Sequence, residues 1–203
     1  MEKNTSTRTL KMVQLAILVA IILIFAYTPL GYLKVGAIEI TFMVLPVAIG
    51  AIMLGPLCGA ILGALFGLTS FIQCFGASAF GVLILQINPV ATFITCMVPR
   101  ILCGWLSGLI FQAFKKTGTL KTASYFIASA CTALLNTILF IGCIIIFFWH
   151  DDTFLSTMTS WSIPIDGLWI FFIAFVGVNG AVEAVVNCIA AGTVSKVLSK
   201  VVK

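Results

Sequence analysis

Charge is what this sequence has least of. Of its 203 residues 8% are charged, while 62% are hydrophobic. A soluble domain has about 25% charged residues, so this chain has no means of building an ordinary water-facing surface. Histidine occurs once, as His150 at the end of an apolar run beside Asp151, where it reads as a solvated interface residue. There is no HExxH, no cluster of acids within an apolar run and no Walker-type phosphate loop. Metal-dependent, acid–base and nucleotide-hydrolysing chemistry therefore lack their materials. The seven cysteines form no CxxC pair and lie in or beside apolar runs, as small buried hydrophobes do. No catalytic residue, metal site or bound cofactor is expected.

What is present is a succession of apolar runs, most of them long enough to cross a hydrocarbon layer of about 30 Å. They fall at about 12–27, 40–54, 58–75, 90–114, 123–148 and 168–194. This predicts one all-α membrane domain, a six-transmembrane-helix bundle, preceded by a short basic arm over 1–11. The first run has no small-residue cleavage pattern after it and reads as a retained span. The second is short and contains Pro46, which suits a kinked or discontinuous helix. Between them, residues 28–41 contain Pro29, Gly31 and Gly36 and then alternate apolar with polar residues. That pattern predicts a structured extracellular loop with a short hairpin. Residues 76–89 are uncharged and read either as a re-entrant loop or as the first turns of span four. Asp151, Asp152 and Asp166 make an acidic loop before span six.

The net charge of +5 does not point to nucleic acid, because the cations lie between apolar runs. Lys3, Arg8, Lys11, Lys115, Lys116, Lys121, Lys196, Lys200 and Lys203 all fall on one side when sides alternate, which makes that side cytoplasmic and places both termini there. Small residues mark helix contacts. Gly59, Gly63 and Gly67 form GxxxGxxxG in span three, Gly104 and Gly108 another GxxxG, and Ala16 and Ala20 an AxxxA in span one.

One arginine, Arg100, lies inside an apolar span, and one acid, Glu183, inside another. An intramembrane charge is costly and faces the bundle interior or a wet cavity. At ~1.5 Å per residue, Arg100 stands roughly 20 Å from Lys115 and Glu183 a similar height above Lys196, so the two can meet or share a ligand. Asn179, Glu183 and Asn187 recur at helical spacing on one stripe. Asn136 lies near the middle of span five, and Gln73 and Asn88 are polar groups at the ends of the neighbouring runs. Tyr32 and Lys34 in the first loop and Trp169 at the start of span six complete the candidate binding set. One reading is a buried ion pair that fixes register. The other is a pocket in which Arg100 grips an anion, since its planar fork donates two parallel hydrogen bonds to a carboxylate.

The basic arm, AxxxA, TPLGYLKVG, LPVAIGAIMLGPLCGAILGALFGLTSF, INP and PRILCGWLSGLIF together resemble the substrate-binding S components of energy-coupling factor vitamin transporters. The resemblance implies a multi-pass bacterial plasma-membrane protein that binds one vitamin near the outer face, beneath the first loop. It also implies docking, through the face carrying Ala16 and Ala20, on a membrane coupling subunit with two ATPases; ATP is then used by the partners. The TPLGY and PRIL stretches lean towards the pantothenate type, with riboflavin, folate and other vitamins as alternatives. A stand-alone secondary transporter is the competing class, for which internal repeats and a coupling-ion site are expected.

Overall fold

The computed structural model describes residues 2–28, 31–35, 38–116, 123–161, 170 and 180–201, without the side chains of 2–7, 32–40, 200 and 201. Asn179, Trp169, Lys121, Lys203 and most of the first half of span six lie outside the described residues.

In chain order the elements are α1 (Glu2–Tyr27), β1 (Tyr32–Val35), β2 (Ile38–Thr41), α2 (Val44–Leu54) and α3 (Pro56–Gln73). Then follow α4 (Ala79–Ile87), α5 (Pro89–Lys116), α6 (Ala123–Phe148), α7 (Asp152–Ser160) and α8 (Ala181–Val201). Among the described residues, five helices (α1, α3, α5, α6 and α8) are long and apolar enough to cross a membrane.

Several boundaries differ from those read off the sequence. Residues 2–11 are not a separate arm but the first turns of α1. Ile40 and Thr41 do not begin the second helix. They belong to an antiparallel hairpin in which Tyr32 pairs with Thr41 and Lys34 with Glu39. Their alternating, β-branched sequence suits a strand better than a helix. Residues 76–88 are not the first turns of span four. They contain a separate helix, α4, capped by the Ser78 hydroxyl, which accepts a hydrogen bond from the Gly81 amide at 3.2 Å. The segment from Asp152 is likewise helical, because the Asp151 carboxylate accepts from the Phe154 amide at 3.0 Å and supplies the N-cap.

The short helix α2 sits at the centre. At 11 residues it is about 16 Å long, less than a full crossing, yet it touches α1, α3, α5, α6 and α8. Val44, Pro46, Val47, Ala48, Gly50, Ala51 and Ile52 are all buried, so it is enclosed nearly all round. Gly55 then turns the chain into α3 with φ of 104°, a conformation that glycine alone adopts without cost, and Pro56 opens the next helix.

The tightest seam joins α3 to α5. A Cβ at Gly63 would collide with the carbonyl oxygen of Arg100, and one at Gly59 with that of Gly104; at Gly67 it would stand 2.8 Å from that of Cys96. The three glycines of α3 thus seat one backbone stripe of α5, at Cys96, Arg100 and Gly104. With lipid as apolar as the side chains, such close backbone packing drives helices together.

Helix α1 is attached more lightly. Leu18, Ile22 and Ala26 form its buried stripe against Met43, Val44, Val47, Leu62 and Phe66. Ala16 and Ala20 lie on the opposite, exposed side with Met12, Val13, Ile17 and Ile24. At the other end of the bundle, α4 and α7 cover the ends of α5 and α6. Leu83, Ile84, Ala91, Ile141, Ile144, Phe148, Phe154 and Met158 form a second core there.

Candidate functional site

Arg100 is fixed by the glycine seam beneath its own backbone and by Pro99 before it. A proline inside a helix has no N–H, so the carbonyl four residues earlier loses its helical donor. Here that carbonyl belongs to Thr95, and the Arg100 side chain replaces the missing amide, Nη1 donating to the Thr95 oxygen at 2.7 Å. The rest of the guanidinium lies against aromatic rings, 4.4 Å from the Phe140 centroid and 5.4 Å from that of Phe66. Two ring faces attract a cation and shield it from lipid. Arg100 is 8% exposed, and its Nε has no hydrogen-bond partner among the described residues. Nε is therefore not used by any of the described residues.

Glu183, in the first turn of α8, is 4% exposed. Its Oε1 accepts a hydrogen bond from the backbone amide of Thr41 at 3.0 Å, and the Thr137 hydroxyl donates to Oε2 at 3.5 Å. Asn136 reaches the same carboxyl group from α6. The hairpin is thus tied to α8 and α6 through one acid. Arg100 and Glu183 lie close enough for their charges to attract, but among the described residues they form no direct ion pair. Each has its own anchors.

Around them, Thr95 Oγ1, Asn136 Oδ1 and Asn187 Oδ1 are also buried without a hydrogen-bond partner among the described residues. A buried polar atom left unpaired costs about 1–3 kcal/mol. Five such atoms lie on α5, α6 and α8; Ser195 Oγ is further along α8, and the other four, on Thr95, Arg100, Asn136 and Asn187, suit a site that meets a polar ligand.

The structure brings Arg100, Asn136 and Glu183 together from the candidate set. Asn88 and Gln73 have other partners. The Asn88 side-chain oxygen accepts from the amides of Val90 and Ala91 at 3.1 and 3.0 Å, capping α5. Gln73 Nε2 donates to the Ala26 carbonyl at 2.7 Å and ties the end of α3 to α1. The side chains of Tyr32 and Lys34, together with Asn179 and Trp169, lie outside the described residues. Pro99, Thr95, Phe66, Phe140, Thr41 and Thr137 are site elements that reading the sequence missed. Pro99 carried a usable signal, since a proline in a long apolar helix always frees the carbonyl four residues back.

Replacing Pro99 by alanine restores an amide that competes with Arg100 for the Thr95 carbonyl. The expected result is a protein at least as resistant to heating, with ligand affinity about fivefold weaker, the equivalent of one hydrogen bond of about 1 kcal/mol. Thermal stability and ligand titration of the same purified variant check both signs.

Long apolar helices around a buried arginine and a buried acid define a multi-pass membrane protein with a polar interior. The family profile described as "ECF transporter, substrate-specific component" matches residues 10–194. The chain belongs to that family, and is a transporter component rather than an enzyme. Among curated proteins it is similar to the "Pantothenate transporter PanT" of Leuconostoc mesenteroides subsp. mesenteroides. The two are 29% identical over 202 residues, covering 96% of this chain and 94% of the relative.

Proposed function

We propose that this chain is the vitamin-capturing subunit of an energy-coupling factor importer, and that its vitamin is pantothenate. The single observation that carries the reading is Arg100, buried, fixed by Thr95 and two phenylalanine rings, with Nε unpaired among the described residues. Pantothenate has a carboxylate for that fork, and an amide and two hydroxyls for the acceptors and donors of Glu183, Asn136 and Asn187. The pantothenate transporter similarity supports the choice among vitamins.

In this reading the bundle crosses the membrane six times, with the lysine-rich end and both termini cytoplasmic and the hairpin outside. The chain binds no cofactor, and ATP is used by two ATPase partners through a membrane coupling subunit. Mass spectrometry of the small molecule that co-purifies with the detergent-solubilised protein tests the substrate. Pantothenate is expected; riboflavin or folate in its place would reassign it.

Docking is assigned to the exposed face of α1, where Ala16 and Ala20 allow a partner helix to approach closely. Ala16→Trp is expected to leave vitamin binding unchanged and reduce uptake in cells to background, because the new side chain projects away from the bundle. Uptake at the unmodified level would reassign the docking face.

A further inference from the structure

At the opposite end of the bundle from the α4 and α7 cover, a cavity of about 330 Å³ opens between the ends of α1, α2, α5, α6 and α8. Lys11 comes from α1 and Lys115 from the last turn of α5, with Gln14, Tyr125 and Ser199 as further polar groups in the wall. The Lys115 ammonium lies 5.8 Å from the centre of the Phe111 ring, which in turn packs against Tyr125 with centroids 5.0 Å apart. The inner wall is apolar, formed by buried Ile52 and Phe111. No acid lines it. Of the six acidic residues only Glu2 falls at this end in sequence, against nine cations in the terminal segments, the last turn of α5 and the loop that follows it.

We infer that this cavity binds the phosphate headgroup of an anionic phospholipid, with Lys11 and Lys115 on the phosphate. The chemistry is that of any phosphate ester or free phosphate, and the position selects the lipid. Basic pockets between helix ends at the membrane surface hold anionic headgroups, and lysines there extend their charge along an apolar wall into the headgroup layer. The apolar inner wall suits a glycerol backbone. A headgroup held by both lysines links α1, whose buried stripe is narrow, to α5. The site is remote from Arg100 and Glu183, so it stands or falls independently of vitamin binding.

The test is reconstitution into nanodiscs of phosphatidylcholine alone or mixed with phosphatidylglycerol, with native mass spectrometry of the released protein. Retention of phosphatidylglycerol on the wild-type protein, with no comparable retention of phosphatidylcholine, is the expected result. A Lys11→Gln/Lys115→Gln variant should retain about tenfold less or lower, as loss of two surface cations implies. The control is Lys116→Gln/Lys196→Gln, which makes the same charge change outside the cavity and should retain phosphatidylglycerol as the wild type does. Equal loss in both variants would mean diffuse attraction and overturn the site. So would equal retention of both lipids by the wild type, a result that needs no variant. Added inorganic phosphate should not displace the lipid at equimolar levels; if it binds alone and displaces it, the occupant is a free anion and the lipid assignment fails.

Discussion

Arg100→Ala is expected to weaken pantothenate binding roughly 30- to 5,000-fold, equivalent to about 2–5 kcal/mol, while the protein still inserts and purifies as a monodisperse species. The range is that for removing one side of a buried, hydrogen-bonded charge contact. The change deletes the donor aimed at the ligand and leaves the Thr95 carbonyl without its substitute partner. It also leaves Phe66 and Phe140 facing a void. Arg100→Lys separates these effects. A lysine keeps the charge but not the fork, and cannot satisfy Thr95 and a bidentate carboxylate together, so its affinity should fall between the two. Titration of the three purified proteins with pantothenate reads this directly; wild-type affinity in Arg100→Ala would remove the proposed anchor.

The second large effect is expected from one methyl group. Gly63→Ala puts a Cβ against the Arg100 carbonyl oxygen, a backbone atom that cannot rotate away. Overpacking of this kind costs about 1–3 kcal/mol or more, and here the strain falls on the residue that positions the guanidinium. Stability and binding should therefore drop together, seen as less folded monomer after heating and weaker ligand titration. Gly142→Ala is the matching control, because a Cβ there meets none of the described residues within 4 Å, and alanine is the better helix former. Unchanged stability in Gly63→Ala would mean that α3 and α5 are not pressed together as described.

Much of this was legible in the sequence, for definite reasons. Long apolar runs are set by membrane thickness and almost unavoidable to read, so α3, α5 and α6 fall within a few residues of expectation. Arg100 and Glu183 stood out because charge in oil is rare. Partners were less legible. The glycines of α3 announce a close neighbour but do not say which, and only the folded bundle matches them to the Arg100 stripe of α5. Glu183 is held by a backbone amide, that of Thr41, and amides carry no residue signature. Asn88 was misleading, since a polar residue beside a membrane span looks like a ligand group. Its position directly before Pro89 is equally a helix-start signal, and capping is where its oxygen is used. Asp151 belongs to the same kind: its charge suggested a loop, whereas its carboxylate begins α7.

The most direct measurement compares the wild-type protein's affinity for pantothenate with that for pantothenyl alcohol, identical except that a CH2OH group replaces the carboxylate. Tight binding of the acid, with the alcohol weaker by about the same factor as Arg100→Ala and no further loss when the two changes are combined, is the expected result. Equal affinity for acid and alcohol in the wild-type protein would contradict an arginine that recognises the carboxylate.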